Sequence, residues 1–354
     1  MRELCRRFRI SAPTGYKWLR RYEREGAAGL EDGSHRPRQQ PRRSSAEVEQ
    51  LVVKVRSRNP AWGGRKIRKV LELAGQLPLP SASTVSAILR RHKLLDPRQQ
   101  AASKTWQRFE HDRPNELWQM DFKGHFAIDQ GRCHPLTVLD DHSRFNLGLR
   151  ACGNELESTT REQLAAIFRV YGLPRRALAD NGPPFGTSGD EAYSSLQVWL
   201  LRLGVELSHG RPCHPQTQGK DERFHRTLKL EVLRNREFHS LAQVQHEFDS
   251  WREVYNHQRP HDALGLEVPA TRYHPSPRPF PETLPPLDYA CDLTVRKVAG
   301  HGAISFQGRN FHIGKAFLGL PVGLRATTTD GLFQVFFAAT EIRKIDLRGD
   351  IDHV

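Results

Sequence analysis

The pattern of apolar residues changes near residue 112, and this change restricts the fold more than any single motif does. After that point short β-rich runs appear and then alternate with helical stretches, which is typical of a mixed sheet flanked by helices. The predicted elements are strands at Leu117 to Ile128, Pro135 to Leu139 and Phe145 to Arg150, a helix at Ser158 to Tyr171, a strand at Arg176 to Ala179 and a helix at Glu191 to Leu203. The sequence therefore predicts an α/β domain.

The first hundred residues carry the chain's excess of positive charge. They contain 23 Lys and Arg against 9 Asp and Glu, a difference of +14 that equals the net charge of the whole chain. The remaining residues are balanced, with 31 charges of each sign. Such a basic segment favours binding of a polyanion such as DNA, because each neutralised phosphate releases condensed counterions. A solvated basic face without a partner is the alternative.

Residues 1 to 31 are predicted to form a helix-turn-helix module. The stretch from Met1 to Arg9 is amphipathic, and a second helix is expected from Pro13 to about Glu25. Ser11 is the expected N-cap of this second helix, since proline is tolerated in a first turn. Because the chain begins inside this unit, its first helix is expected to be shortened.

The second helix of this module has an expected inner face and an expected outer face. Tyr16, Leu19 and Tyr22 recur at a spacing of three and are expected to pack inward, whereas Trp18 is compatible with either face. The outer face is then free for the major groove of double-stranded DNA. The residues expected there are Thr14, Lys17, Arg20, Arg21 and Arg24.

A basic linker is predicted at residues 32 to 45. Its sequence, DGSHRPRQQPRRSS, contains almost no apolar side chains. It is therefore expected to follow a phosphate backbone rather than to pack.

Residues 46 to 95 are predicted to form a second helical DNA-binding domain. Its helices are expected at 46 to 58, 64 to 74 and 82 to 92. The second helix is rich in cations, namely Arg65, Lys66, Arg68 and Lys69, and the third is expected to be capped by Ser81 or Ser83. An ordinary three-helix domain or a dimerisation element is the alternative.

Two classes of protein are disfavoured by composition. The five cysteines are scattered without a C-x-x-C pair, so neither a disulfide framework nor a structural zinc site is expected. No run of 18 apolar residues occurs, and the basic N-terminus lacks the apolar core of a signal peptide, so membrane insertion and secretion are not expected. The expected location is the cytoplasm.

The tail from 287 to 354 has a different pattern from the rest of the chain. Its short apolar runs, AISFQ, FHIG, GLRATTT, LFQVFFA and EIRKIDL, are separated by Gly and Asp-Gly turns. This pattern predicts a small antiparallel β-barrel.

Three acidic residues stand out by their contexts in the central domain. Asp121, in WQMDF, lies in a β-rich run; Asp180, in LADNGPPF, follows a strand; and Glu222, in HPQTQGKDERFHRTLKLE, lies near the start of a helix. Carboxylates in these positions can converge at one end of a mixed sheet, where hard divalent cations bind clustered oxygen donors. A lone acid, in contrast, is usually a solvated surface group.

Five successive motifs together resemble a known family. WQMDFKGHF, VLDDHSRF, LADNGPPF, HPQTQGKDERFHRTLKLE and YNHQRPHDALG are similar in order and spacing to the core signatures of retroviral integrases and of insertion-sequence transposases with helix-turn-helix modules. The resemblance implies a ribonuclease H-like core over roughly 112 to 275. It also implies that Asp121, Asp180 and Glu222, rather than Asp221, bind two Mg²⁺ (or Mn²⁺) ions.

The spacing of the three acids fits the family with one departure. There are 58 residues between Asp121 and Asp180, and 41 between Asp180 and Glu222. The second interval is longer than is usual in the family, and inserted residues at Gly186 to Gly189 would account for the difference.

By this resemblance the chain is expected to be a DDE transposase. It would recognise inverted repeats through residues 1 to about 100, hydrolyse a phosphodiester at each transposon end, and use the freed 3′ hydroxyl to attack target DNA. A homo-oligomer on the nucleoid of a prokaryotic cell is implied. The alternatives are a DNA-binding repressor that keeps the fold without catalysis, and a nuclease of the same fold without strand transfer.

Further polar residues of the motifs are candidates with an open role. Arg226 and Lys229 follow Glu222 at i+4 and i+7, and with Lys220 they are expected to bind the transposon end unless they form a solvated helix face. Asp140 and Asp141 belong to DDHSRF, but they are also compatible with ending a strand and forming a turn. The roles of the histidines are left open, at His142, His209 and His214.

Overall fold

A computed structural model describes most of the chain. The described residues are 1–32, 43–76, 78–95, 110–187, 191–210, 219–234 and 236–348. The chain divides into two compact units, Met1–Val48 and Glu49–Val354. Most of the predicted basic linker, together with His214 and part of the predicted insertion at Gly186 to Gly189, lies outside the described residues.

The first unit contains two α-helices, α1 (Arg2–Arg7) and α2 (Ala12–Glu25), followed by a 3₁₀ turn at Gly26–Leu30. Ser11 caps α2, as predicted, because its side chain accepts a hydrogen bond from the Thr14 amide at 3.3 Å. Gly15 allows the two helices to approach closely, since a Cβ atom there would lie 2.4 Å from Cys5 Sγ.

The prediction of an inner face on α2 was wrong for its tyrosines. Tyr16 is 42% exposed and Tyr22 is 52% exposed, while Leu19 is half-buried. The physical reason is the length of α1, which has six residues and covers only the part of α2 around Gly15.

Three helices form the next domain, as the sequence predicts. They are α3 (Ala46–Arg58), α4 (Gly64–Leu73) and α5 (Ala82–Arg91). Ser81 caps α5 by accepting a hydrogen bond from the Thr84 amide at 3.2 Å. The buried core of the domain consists of Val52, Trp62, Ile67, Leu71, Val85, Ile88 and Leu89. Val254, from a later helix, packs against this core, so the domain is joined to the central one by apolar contact.

A mixed six-stranded sheet forms the centre of the second unit. Its strands are β1 (Leu117–Phe122), β2 (Phe126–Ile128), β3 (Gly131–Asp140), β4 (Asn146–Cys152), β5 (Arg176–Ala179) and β6 (Glu206–His209). The strand order is β2-β3-β1-β5-β6, with β4 also paired to β3. β1 is antiparallel to β3 and parallel to β5, and β5 is parallel to β6.

Helices cover both faces of this sheet. They are α6 (Glu157–Tyr171), α7 (Ser195–Arg202), α8 (Gly219–Leu228), continued by a π-helical turn at Lys229–Leu233, and α9 (Leu241–His257). One core contains Trp118 and Phe168 with side chains of α6 and α7, and the other contains Phe224 and Phe248 with side chains of α8 and α9. Because both faces are covered, β1 is buried along most of its length.

The C-terminal region is made of two antiparallel sheets. Its strands are β7 (Thr294–Lys297), β8 (Ala303–Phe306), β9 (Arg309–His312), β10 (Pro321–Ala326), β11 (Leu332–Phe337) and β12 (Thr340–Asp346). The sheet orders are β12-β11-β10-β7 and β8-β9, and the two share one apolar core with Val198 and Leu201 of α7. Closure into a barrel stays a prediction. Within the described part of the chain, no helix combines the length and the apolar character needed to cross a membrane.

Candidate active site

Asp121 and Asp180 lie near the carboxyl ends of neighbouring strands. β1 and β5 are parallel, and their pairing runs as far as Gln119 opposite Leu178. Asp121 lies two residues further along β1, Asp180 directly follows the last residue of β5, and the charge of Asp180 acts on Asp121. Since side chains alternate along a strand, Asp121 shares the sheet face of Gln119, away from the core around Trp118.

The carboxylate of Asp121 is in an environment that disfavours negative charge. Burial, followed by the charges of Asp180, Glu155 and Glu222, raises its pKa to about 7, against the lowering effect of one backbone hydrogen bond from Phe122. The cluster therefore holds more negative charge than its protein partners neutralise, and this is the electrostatic condition in which a divalent cation binds well.

Asp180 is held in place by hydrogen bonds from the neighbouring strand β6 and from the loop that follows β5. Its main-chain carbonyl accepts a hydrogen bond from His209 Nδ1 at 2.6 Å, and His209 Nε2 in turn lies 2.8 Å from Gln197 Nε2. Gln197 belongs to the capping box with which Ser194 starts α7. Burial raises the pKa of Asp180, while a hydrogen bond from the Gly182 backbone and the nearby His209 oppose this effect.

Glu222 lies in the first turn of α8 and is exposed. Its charge acts on Asp121, but the three acids are not assembled as a ligand set, because within the described ranges no group of three His, Cys, Asp or Glu residues is arranged to hold a metal ion. The residues nevertheless fit a divalent cation by their chemistry, as oxygen donors whose mutual repulsion is uncompensated.

His225, one turn after Glu222 on α8, contacts the strand that carries Asp121. Its Nε2 lies 2.9 Å from Thr137 Oγ1, and its Nδ1 lies 3.7 Å from Asp121 Oδ2. Thr137 also donates its hydroxyl proton to the main-chain carbonyl of Asp121 at 3.0 Å. Burial, with a smaller contribution from Lys123, lowers the pKa of His225 to about 4, so the ring is neutral.

Asp221 and Lys220 point to the interior rather than to solvent. Asp221 is 2% exposed, and burial, followed by the charges of Asp121 and Asp141, raises its pKa well above the ordinary value. Lys220 forms an ion pair with Asp141, which is itself buried and accepts a hydrogen bond from Gln119 Nε2 at 2.7 Å. Lys220 is therefore a largely buried partner of Asp141, with 19% of its side chain exposed, and its expected contact with DNA stays a prediction.

The motif DDHSRF forms a buried turn at the end of β3. Asp140 accepts hydrogen bonds from the Asn115 amide at 2.7 Å and from the Ser143 amide at 2.8 Å. His142 Nδ1 lies 2.8 Å from the main-chain carbonyl of His111. These contacts favour the turn interpretation of Asp140 and Asp141 over a direct role in chemistry.

Exposed cations lie along α8 beyond the acids. Arg226 and Lys229 are both exposed, and Lys229 lies close enough to Lys123 to contribute to the lowered pKa of that lysine, after burial. This basic rim is defined by Lys123, Arg226 and Lys229. It flanks His225 and Asp121.

The cations of α4 are only partly available to a ligand. Arg65 and Lys66 both pair with Asp262, at 2.9 and 3.8 Å, and the Lys66 side chain is only 13% exposed. Burial, followed by Arg259, lowers the pKa of Lys66 to about 8. Lys66 thus anchors α4 to the central domain, which corrects its expected place at the DNA, whereas the Arg65 side chain remains 71% exposed.

The predicted DNA-contacting residues of α2 differ in how exposed they are and in whether they contact other residues of the protein. Lys17 and Arg20 are exposed, and Thr14 is half-buried beside the Ser11 cap. Arg21 donates a hydrogen bond to the main-chain carbonyl of Glu31 at 2.7 Å and lies 4.7 Å from the centre of the Trp18 ring.

The sequence motifs did not identify two residues that lie at the site, Glu155 and His225. Glu155 acts on both Asp121 and Asp180, but it follows β4 in a loop and belongs to no motif, so nothing in its context identifies it. His225 could have been found, because i and i+3 residues share a helix face and it stands three residues after Glu222.

Family models match most of this architecture. Two models described as integrase core domain match residues 111–215 and 203–269, a homeodomain-like domain matches 14–89, and the C-terminal domain of the IS481 family transposases matches 293–352.

Two curated relatives are insertion-element proteins. One is the uncharacterized 39.2 kDa protein of insertion element IS476 from Xanthomonas euvesicatoria, which is 32% identical over 160 residues, 44% of each chain. The other is the uncharacterized 31.7 kDa protein of IS407 from Burkholderia multivorans, which is 28% identical over 157 residues, 44% of this chain and 54% of the relative. The chain thus spans about half the length of the curated relatives it matches.

Two solved structures of integrases are similar to this chain. One is the simian T-cell lymphotropic virus intasome in complex with the PP2A regulatory subunit B56 gamma. The alignment covers 84% of this chain and 96% of the chain in that structure, with 16% identity and a TM-score of 0.42. The catalytic core domain of BIV integrase aligns with 44% of this chain and 92% of its own at 20% identity and a TM-score of 0.34.

The mixed sheet flanked by helices and the two core-domain matches support an integrase core with a ribonuclease H-like α/β fold. The homeodomain-like region and the C-terminal domain refine that class. Together these matches support an insertion-sequence transposase of the integrase family.

Proposed function

We propose that this protein is a DDE transposase that binds the inverted repeats of an insertion sequence, cleaves a phosphodiester at each end and transfers the end to target DNA. The observation that carries the proposal is that Asp121 and Asp180 lie at or just past the carboxyl ends of two parallel strands, where the charge of Asp180 raises the pKa of Asp121. The integrase-core matches support the same reaction class.

Asp121, Asp180 and Glu222 are the groups proposed to hold two divalent metal ions, Mg²⁺ or Mn²⁺. When bound, such ions activate the attacking hydroxyl and neutralise charge on the phosphate and the leaving oxygen. Asp121 would serve as the shared ligand, because the charges of both Asp180 and Glu222 act on it. Glu222 is exposed in the first turn of α8 and would complete the set by turning toward Asp121.

DNA is proposed to contact basic residues in each of the two units. Lys17 and Arg20 on α2 would contact the repeat, and Arg226 and Lys229 of the basic rim would hold phosphates beside the acids. Thr14, Arg21 and Arg65 are secondary candidates, because each already has a partner within the protein. Because both ends of the element must reach nearby target positions, a homo-oligomer on DNA is part of the proposal.

The test uses the full chain and labelled duplexes that end in the element's terminal repeat. With Mg²⁺ we expect a nicked product at the repeat boundary and joining of the labelled 3′ end to a target plasmid, both lost with EDTA. Failure of both products in Mg²⁺ and in Mn²⁺ would favour the repressor alternative. Nicking of the repeat without joining would favour the nuclease alternative.

A further inference from the structure

The geometry around Thr137 fixes which nitrogen of His225 carries a proton. The Thr137 hydroxyl has a single proton, and it donates this proton to the main-chain carbonyl of Asp121 at 3.0 Å. The 2.9 Å contact between Thr137 Oγ1 and His225 Nε2 must then be donated by the ring nitrogen. In the neutral ring, Nδ1 is left with a lone pair.

That lone pair faces the carboxylate of Asp121. Nδ1 lies 3.7 Å from Asp121 Oδ2, which is too long for a hydrogen bond. Two ligands that are each about 2.0–2.2 Å from one ion lie roughly 3–4 Å apart, and the observed separation falls in this range.

A second buried group next to Asp121 also lacks a partner. Asp221 is 2% exposed, and its Oδ1 accepts no hydrogen bond from the residues that the structure describes. The Asp121 charge acts on it directly. An unpartnered carboxylate oxygen thus lies on α8, the same helix that brings His225 to Asp121.

We propose that His225 is a nitrogen ligand of a divalent cation at Asp121, so that this site combines an imidazole with carboxylates. The inference rests on the proposed function, since it adds one ligand to the same metal centre. Imidazole nitrogen suits transition metals better than Mg²⁺, whereas carboxylates suit both. The site should therefore prefer Mn²⁺ over Mg²⁺, and His225 should be the origin of that preference.

The test is pulsed electron paramagnetic resonance of Mn²⁺ bound to the full-length protein. Electron spin echo modulation from a directly bound ¹⁴N should appear in the wild type and change to the ¹⁵N pattern when the protein is made with ¹⁵N-labelled histidine. In His225→Gln the nitrogen modulation should vanish, because glutamine can keep a donor near Thr137 but brings no imidazole. His246→Gln, at an exposed position of α9, is the matched control and should keep the signal.

The same variants should differ in how strongly they bind Mn²⁺ but not in how strongly they bind Mg²⁺. His225→Gln should weaken Mn²⁺ binding on the order of tenfold and leave Mg²⁺ binding nearly unchanged, which removes the preference. Isothermal titration with each metal measures this difference. If His225→Gln fails to fold, the isotope exchange in the wild type still tests whether any histidine binds the metal, and its absence would overturn the inference.

Two results would overturn the inference in distinguishable ways. Bound Mn²⁺ that is lost in Asp121→Asn but shows no histidine nitrogen modulation would remove His225 as a ligand and leave the proposed function intact. The absence of any Mn²⁺ site that depends on Asp121 would remove both the ligand and the metal centre.

Discussion

At the scale of single residues, Asp121 combines burial with the charges of three other carboxylates. Its pKa of about 7 means that the folded, metal-free protein retains a proton that an unfolded chain releases near pH 4. Proton and metal ion thus compete for the same oxygen atoms. Metal affinity is expected to rise as the pH rises through about 7.

Asp121→Asn is expected to stabilise the metal-free protein at pH 8 and to change it little at pH 4. Because the folded pKa of Asp121 is raised, its stabilising contribution is fully present below about pH 4 and is lost as the pH rises through about 7. The gain at pH 8 should be on the order of 1–3 kcal/mol, and each kcal/mol corresponds to a shift of about 2–4 °C in Tm. Thermal melts in EDTA at both pH values measure it.

The matched control for this change is Glu253→Gln, which makes the same chemical change at a side chain that is 64% exposed on α9. It should leave the Tm unchanged at both pH values. A lower Tm of Asp121→Asn at pH 8 would mean that the carboxylate is stabilised by its surroundings, contrary to the crowding of negative charge described above.

Lys220 and Lys229 are expected to respond differently to removal of their charge. Lys220→Ala leaves the buried Asp141 without its cation, so it should cost about 3 kcal/mol or more in folding free energy. Lys229→Ala removes an exposed charge and should weaken DNA binding while leaving stability within about 0.5 kcal/mol. Urea denaturation and fluorescence anisotropy with terminal-repeat DNA measure the two effects. Equal stability of both variants would contradict the buried role of Lys220.

Sequence motifs predicted the contexts of Asp121, Asp180 and Glu222, because strand ends and helix starts are set by local pattern. They could not predict Glu155 or the inward direction of Lys220, since both depend on which elements pack together. The same limit explains Lys66: its charge suggests a DNA contact, but its burial against Asp262 follows from the docking of α4 on the central domain.

At the scale of elements, close packing of α1 on α2 depends on one glycine. A Cβ at Gly15 would lie 2.4 Å from Cys5 Sγ, so the Cys5 side chain or the helices would have to shift. The packing of α1 on α2 would then change without any change in charge.

Gly15→Ala is therefore expected to weaken binding of terminal-repeat DNA about tenfold or more, since overpacking costs typically about 1–3 kcal/mol. The control is Gly300→Ala, where an added Cβ meets nothing within 4 Å. Fluorescence anisotropy with labelled duplexes compares the two. Unchanged affinity of Gly15→Ala would show that the packing of α1 does not matter for DNA recognition.

Most long helices and strands follow from the periodicity of the sequence, and each difference from the predicted elements has a physical cause. The run from Leu117 to Ile128 is interrupted by a turn at Gly124, which has a positive φ of 77°, and so becomes two strands, β1 and β2. α7 begins at Ser195 rather than near Glu191, because Ser194 and Gln197 form its capping box. β6 was not predicted: its four residues are too few for a clear alternating pattern, and its pairing with β5 is a long-range contact.

At the scale of the whole molecule, the boundary between the two compact units suggests how to separate recognition from catalysis. Deletion of all residues from 1 to 100 would also remove α4 and α5, which pack on the central domain through Val254 and through the ion pairs of Asp262. Deletion of Met1–Val48 removes one unit and leaves the contacts of α4 in place.

The protein without Met1–Val48 is expected to lose its discrimination between terminal-repeat and random DNA, because α2 with Lys17 and Arg20 is absent. Weak, salt-dependent binding through the remaining cations should persist. Competition gel shifts at two salt concentrations measure both quantities. Discrimination that survives this deletion would place recognition of the repeats elsewhere in the chain.

The most direct measurement is Mg²⁺-dependent cleavage of a duplex carrying the element's end by four full-length variants. Asp121→Asn, Asp180→Asn and Glu222→Gln should each abolish nicking, by about a thousandfold or more, while binding of the end is retained. Glu253→Gln, the same chemical change outside the site, should cleave like the wild type. Full cleavage by any one of the first three variants would contradict the assignment of these carboxylates as the catalytic centre.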